Sequence, residues 1–215
     1  MKQHWDRWAP LTGLLSVACT FVGVMFVLNQ PQDTDSDAKI VAYFAEHSHR
    51  VDGIVGFFAF LAGLMLLVAF LASLRERLPA GRATSLAFGG GIASVPLWAL
   101  SILLADGMAL AASETSRFRV DPNTFRLLGD ISYASWVAAV AVSALVVWGT
   151  SAVALRTGLL PRWYALAGVP VGIVQLFGFF FFPFFAWWLW LIVTSALLVA
   201  RPARAVAPVA QPAAL

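Results

Sequence analysis

Charge, cysteine and enzyme fingerprints are all scarce in this 215-residue chain. Only 12% of its residues are charged, about half the share that is usual in a soluble domain. The single cysteine, Cys19, excludes an intramolecular disulfide and a thiolate metal cluster. The net charge of +3 is spread along the chain without a basic tract, which argues against nucleic-acid binding.

Motifs for the common cofactor-dependent reactions are missing as well. We find no Walker-type phosphate loop, no dinucleotide glycine fingerprint, no zincin helix and no nucleophile elbow. His47 and His49 are two residues apart, so on a helix they would point about 200° apart and could share a metal ion only in an extended segment. We therefore expect no cofactor and no metal ion.

Hydrophobic residues make up 60% of the chain and fall into long runs. We predict an all-α integral membrane bundle, one domain over 1–215, with six transmembrane helices at about 11–28, 53–74, 86–106, 130–155, 163–181 and 185–200. The last two share one apolar stretch that is about twice the length of a single crossing, because a helix rises about 1.5 Å per residue against a core of about 30 Å. Pro183 is the predicted turn between them.

Lys and Arg predict the orientation, since positively charged short loops stay cytoplasmic. With six spans, nine of the fourteen basic residues lie on the side of both termini, whereas nine of the eleven acids lie on the other side. Both termini are therefore predicted to be cytoplasmic, in a multi-pass protein of the cell membrane. The segment 202–215 is predicted to be a flexible tail.

The outer loop at 30–50 contains the acidic run Asp33-Thr-Asp-Ser-Asp37. It fails as a calcium loop because Ala38 and Phe44 stand where glycine and glutamate are needed. It is similar to the Asp-rich acid motif of soluble protonating terpene cyclases, but its final position is Ser36 and it lies in a loop. We interpret it as the N-cap of a short amphipathic helix, with Ile40, Val41, Phe44 and Ala45 on one face.

Three aspartates stand at the outer ends of the predicted spans. Asp52 and Asp130 lie near helix N-termini, where the backbone dipole favours a negative charge by about 0.3 to 1 kcal/mol. Asp106 has no such explanation, because it lies toward the C-terminal end of its span, before Glu114. We expect Asp106 to face the bundle and to be paired or protonated. The candidate partners are Arg117, Arg119 and Arg126.

Aromatic side chains are the second group of candidate site residues. The chain has 17 Phe and 9 Trp, many of them in the outer half with the acids. An interfacial aromatic belt explains part of this pattern. The rest predicts an aromatic cavity that holds one acid, a setting that stabilises carbocations through cation–π contacts of about 0.5 to 2 kcal/mol each. The candidate wall residues are Phe57, Phe58, Trp98, Tyr133, Trp136, Phe177 and Phe181, together with the amide of Gln175.

Several motifs carry a resemblance to known proteins. These are Tyr43-Phe-Ala-Glu-His47, Ser73-Leu-Arg-Glu-Arg-Leu78, Leu86-Ala-Phe-Gly-Gly-Gly91, Asp121-Pro-Asn-Thr with Asp130, and Leu155-Arg-Thr-Gly-Leu-Leu-Pro-Arg-Trp163. With them the chain resembles a broad group of small actinobacterial multi-pass proteins, mostly of unknown function. In size and character it is also similar to bacterial membrane-bound terpene cyclases of indole-sesquiterpenoid pathways.

The leading hypothesis is a membrane-embedded terpene cyclase that acts on a lipophilic prenylated substrate. The similarity to the membrane-bound cyclases implies protonation of an alkene or epoxide followed by ring closure, and the candidate acids are Asp106, Asp130, Asp52 and Glu114. The alternative is a non-enzymatic membrane protein that binds lipid or solute, or a partner subunit. A proton-coupled transporter is the third reading, and a homo-oligomer stays open.

Overall fold

The computed structural model describes residues 8–114 and 118–200, and in this part of the chain the only regular elements are seven α-helices. Their bounds are α1 Leu11–Leu28, α2 Asp37–Ala45, α3 His47–Arg77, α4 Arg82–Glu114, α5 Pro122–Thr157, α6 Arg162–Gln175 and α7 Phe182–Ala200. The predicted tail at 202–215 and Arg117 lie outside the described residues.

Five of these helices, α1, α3, α4, α5 and α7, are long and apolar enough to cross a membrane. This confirms the prediction of an all-helical membrane protein for the described residues. Helices α3, α4 and α5 extend past the predicted apolar spans at both ends, since hydropathy detects the apolar part of a helix and does not detect the polar turns that continue it.

The fifth predicted helix, at about 163–181, is shorter than expected. Helix α6 ends at Gln175 after 14 residues, and the chain then passes through turns over 176–181. Gly178 lets these turns pack closely on α5, since a Cβ at this position would lie 2.9 Å from the carbonyl oxygen of Val137. Pro183 lies just inside α7 and does not make the turn, in keeping with the preference of proline for the first turn of a helix.

Local sequence explains the other helix ends. The Ser36 hydroxyl accepts from the backbone N–H of Lys39 at the start of α2, and the Asp121 carboxylate accepts from that of Thr124 at the start of α5. Gly158 ends α5 in the left-handed conformation, with φ at 67°.

The six longer helices form a closed ring in the order α1, α3, α4, α5, α6, α7, with α7 returning to α1. Glycines let α1 and α3 pack closely. A Cβ at Gly56 would lie 2.7 Å from the Cβ of Phe26, and a Cβ at Gly63 would lie 2.6 Å from Cγ2 of Thr20. Small residues at helix contacts are typical of membrane bundles, because van der Waals packing replaces the hydrophobic effect there.

The short helix α2 covers one end of the ring. Ile40 and Phe44 are buried against Met108 and Phe125, whereas Val41 and Ala45 are exposed, so only half of the predicted apolar face packs inward. The prediction that all four residues form one buried face is therefore wrong for Val41 and Ala45. A short helix contacts the bundle only along a narrow stripe of its surface. We call this end, formed by residues 29–52, 106–114, 118–135 and 176–181, the acidic end.

Candidate functional site

A cavity of about 230 Å³ opens at the acidic end, between α1, α4, α5 and the segment that follows α1. Most of its wall is apolar, with Gln30, Asp33, Ser101, Ser132 and Tyr133 as the polar side chains. The apolar side chains and backbone come from Val24, Val27, Leu28, Pro31, Ile102, Leu104, Ala105, Phe125, Gly129, Trp136 and Phe181.

Asp106 is the most deeply buried acid in the described part of the chain, with 0% of its surface exposed. The side-chain amide of Gln30 donates to its Oδ1 at 2.5 Å, and Oδ2 has no hydrogen-bond partner. Gly53 lets α3 approach α4 at this point, since a Cβ there would lie 2.7 Å from the Cβ of Ala109. Asp106 faces the bundle, as expected from its sequence position.

Asp106 does not itself line the cavity. Its neighbour Ala105 does, and Gln30 lines the cavity while it holds the Asp106 carboxyl group. The carboxyl group therefore lies one residue behind the cavity wall. The Gln30 amide is the hydrogen-bonded link between Asp106 and the cavity wall.

Asp33 is the carboxyl group on the wall itself, a position that our interpretation of the acidic run as a helix cap missed. Gly129 on α5 makes room for it, because a Cβ there would lie 3.0 Å from Oδ1 of Asp33. Partial burial, followed by the negative charge of Asp130, raises the pKa of Asp33, and the charge of Arg126 opposes this. The similarity of the run to an acid motif was the signal that could have identified it.

Arg126 ties the segment that carries Asp33 to α5. Its Nε donates to the carbonyl oxygen of Asp33 at 2.9 Å, and its Nη2 donates to the carbonyl oxygen of Asp35 at 3.0 Å and to Oδ1 of Asp37 at 2.7 Å. We had considered Arg126 as a partner for Asp106. Instead, the three hydrogen bonds of Arg126 hold the loop that forms one wall of the cavity.

Two buried serines on the cavity wall join α4 to α5. The Ser132 hydroxyl on α5 donates to the carbonyl oxygen of Ser101 on α4 at 2.8 Å, and the two hydroxyl oxygens are 3.3 Å apart. Both serines line the cavity and are buried. The bonds hold α4 and α5 together beside the cavity and present hydroxyl groups to it.

Aromatic rings form the deep side of the site. Trp136 packs edge to face on Trp98 at 4.6 Å, lies 4.2 Å from Phe184 and stacks on Phe181 at 5.7 Å between ring centroids. Trp136 and Phe181 line the cavity, whereas Trp98 lies in the core behind them. The structure thus brings together three of the predicted wall residues, Trp98, Trp136 and Phe181, and adds Phe184.

Apart from Tyr133, the other predicted wall residues lie away from the cavity. Tyr133 lines the cavity, is half-exposed and donates its hydroxyl hydrogen bond to the carbonyl oxygen of Phe179. Phe57 packs at the edge of the core, and Phe58 and Phe177 are exposed. Gln175 is fully buried with both amide atoms unpartnered and does not line the cavity.

The remaining candidate acids lie on the surface. Asp52, Glu114 and Asp130 are exposed and do not line the cavity. Asp130 still acts on the site through its charge, because it raises the pKa of Asp33. The prediction that Asp52 and Asp130 lie at helix N-termini is wrong, because α3 begins at His47 and α5 at Pro122, and Glu114 is the last residue of α4. Their exposed carboxylates are poorly placed for proton transfer to an enclosed molecule.

The two histidines are part of the cover over the acidic end. Both lie in the first turn of α3, which excludes the extended geometry that a shared metal ion would need. The His49 ring stacks on Tyr43 at 4.1 Å. Burial, followed by the charges of Asp52 and Asp106, raises the pKa of Tyr43. Within the described residues, no group of three or more His, Cys, Asp or Glu side chains could hold a metal ion.

Comparisons with protein-family models, with curated proteins and with solved structures give no match for this chain. Its function is therefore argued from the cavity and the residues around it.

Proposed function

We propose that the chain crosses the bacterial plasma membrane six times, with both termini in the cytoplasm. Five helices are long and apolar enough to cross. Helix α6 alone is about 21 Å long at about 1.5 Å per residue, so the sixth crossing also needs the apolar turns at 176–181. The excess of Lys and Arg on the side of the termini supports this orientation. The bacterial source rests on the resemblance to actinobacterial proteins.

We further propose that the protein binds a lipophilic small molecule in the cavity at the acidic end. The observation that carries this proposal is the cavity itself, an apolar space with a few polar side chains gathered along its wall. Small-molecule sites in proteins have this composition, since apolar surface supplies the affinity and the polar groups orient the ligand.

The size of the cavity limits the occupant. An engineered apolar cavity of about 150 Å³ holds benzene, so a space of about 230 Å³ encloses a molecule about half again as large. One or two isoprene units fit this space better than a whole prenylated indole does. A longer ligand would leave its remainder at the rim, beside Asp33 and Tyr133.

Acid-initiated cyclisation is the second candidate, and the position of Asp33 favours it. Asp33 places a carboxyl group on the cavity wall, and Trp136 and Phe181 line the same cavity. In this reaction the carboxylic acid transfers a proton to a substrate alkene, and the resulting carbocation is attacked by the π electrons of a second alkene. Loss of a proton back to the carboxylate then gives an isomer of the substrate.

The binding proposal is tested with geraniol and purified protein in phosphatidylcholine nanodiscs. Ala105→Trp fills the cavity, and Ala72→Trp adds the same ring to an exposed position on α3. We expect saturable binding by isothermal titration calorimetry in the wild type and in Ala72→Trp, and none in Ala105→Trp. Equal binding by both variants would place the ligand elsewhere and contradict the proposal.

The cyclisation candidate is tested by incubating the protein with a prenylated indole and analysing the products by mass spectrometry. The expected product is an isomer of unchanged mass, formed by the wild type and lost in Asp33→Asn. Asp106→Asn should slow the reaction less, because Asp106 acts through Gln30. Recovery of the substrate alone, from protein that binds geraniol, would exclude the reaction and leave the binding proposal standing.

A further inference from the structure

Carboxylates dominate the charged groups at the mouth of the cavity. Asp33 lies on the wall, with its Oδ1 close to Gly129 on α5. Asp130 is the residue that follows Gly129, and its negative charge acts on Asp33. Two acidic side chains therefore act at this site, Asp33 from the cavity wall and Asp130 through its charge.

Arg126 is the cation beside Asp33, and its hydrogen bonds are made to other groups. They go to the carbonyl oxygens of Asp33 and Asp35 and to the carboxylate of Asp37. The charge of Arg126 reaches Asp33 but does not outweigh the nearby acids. Lys39 is paired with Asp35 and Arg126 with Asp37, which leaves the carboxyl groups of Asp33 and Asp130 without a paired cation among the described residues. The mouth is left with a net negative charge.

Rings line the same cavity as Asp33. Tyr133, Trp136 and Phe181 contribute to its wall, and Trp136 and Phe181 stack on each other. Aromatic rings attract cations through their quadrupole, and the attraction grows when the cation is removed from water. The other side chains in contact with the cavity interior, such as Val24 and Ile102, are hydrocarbon.

We propose that the ligand of this cavity is a lipophilic amine in its protonated form. Its ammonium group lies at Asp33, near the ring of Tyr133, and its hydrocarbon part fills the apolar space toward Val24 and Ile102. The inference rests on the proposed binding function and specifies the chemical class of ligand. It also assigns Asp33 as the residue that selects this class.

The test compares two probes of nearly identical shape, 1-adamantylamine and 1-adamantanol. The amine is protonated at pH 7, like a lysine side chain, and the alcohol is neutral. Binding to the full-length protein in phosphatidylcholine nanodiscs is measured by isothermal titration calorimetry, because a zwitterionic lipid does not attract amines by its net charge. We expect the amine to bind about fivefold more tightly than the alcohol, as a partly exposed charge pair allows.

Two conservative variants connect the preference to Asp33. Asp33→Asn should bind both probes with the affinity that the wild type has for the alcohol. Asp121→Asn removes one negative charge from the same end of the bundle at a position outside the cavity, and asparagine keeps the helix cap. This variant should retain the preference for the amine.

Each other result overturns a different statement. Equal affinity of the wild type for both probes would refute the amine proposal and leave the binding function intact. Failure of both probes to bind, together with failure of geraniol, would refute the binding function itself. A preference that survives in Asp33→Asn would refute the assignment of Asp33.

Discussion

Arg126→Met is expected to release the segment that carries Asp33 without unfolding the bundle. The substitution keeps an apolar stem but removes all three hydrogen bonds to residues 33–37. A hydrogen bond contributes about 0.5 to 1.5 kcal/mol net. The side chain of Asp37 is 70% exposed and that of Arg126 is 29% exposed, so the low part of this range applies to the ion pair.

Summed over the three bonds, the free energy needed to open the segment should fall by about 1 to 3 kcal/mol. That loss corresponds to an increase of about 5- to 150-fold in the population of the open form. Hydrogen–deuterium exchange in nanodiscs measures it directly at the backbone N–H groups of Gln32 and Asp35. Both groups are hydrogen-bonded within this segment.

Arg119→Met is the matched control, because Arg119 is an exposed arginine at the same end of the bundle. Exchange at Gln32 and Asp35 should stay at the wild-type rate in this variant. If Arg126→Met also leaves exchange at both positions within about twofold of the wild type, the three hydrogen bonds do not hold the segment and the reasoning is wrong.

Three other predictions test the packing and the loop. Gly63→Val should destabilise the protein by about 1 to 3 kcal/mol or more, because the added carbons collide with α1. Gly89→Ala should be neutral or stabilising, because a Cβ at Gly89 has nothing within 4 Å. Unfolding in dodecyl sulfate measures both changes. The hydrogen bond from Lys39 lowers the pKa of Asp35. The stabilising contribution of the Asp35 carboxylate is therefore present above the ordinary aspartate pKa and is lost as pH falls through the lowered value. Protection of the loop N–H groups, measured against their intrinsic exchange rate at each pH, should fall at low pH in the wild type and show no such fall in Asp35→Asn. Tyr164→Phe removes a buried hydrogen bond of 2.6 Å between α6 and α7 and should cost about 0.5 to 1.5 kcal/mol in the same unfolding assay, whereas an unchanged midpoint would show that this bond contributes little.

Hydropathy and charge predict the helices because both act locally along the chain. The direction of Asp106 was also predictable, since an acid without a favourable dipole inside an apolar span must face the bundle. The end of α6 was not, because Phe177 and Phe179 are as apolar as the residues of a membrane helix. Gly178 is the residue in this segment that packs closely on α5, and that contact is visible only in the structure.

The composition of the cavity depends on contacts between distant parts of the chain. Asp33 reaches the wall because Arg126, more than ninety positions later, holds its loop and because Gly129 leaves room for the carboxylate. Neither contact has a local signature. The same reasoning explains Phe58 and Phe177, which are aromatic like the cavity wall but are exposed, Phe58 on α3 and Phe177 in the turns that follow α6.

The glycine contact between α1 and α3 has a consequence for how a molecule could reach the cavity. At Gly56 and Gly63 the two helices pack so closely that a side chain on either glycine would collide with α1. We therefore expect α1 and α3 to move together, so that the cavity opens by movement of α4, α5 or the segment 29–36. A crosslink between α1 and α3 should then leave ligand exchange unaffected.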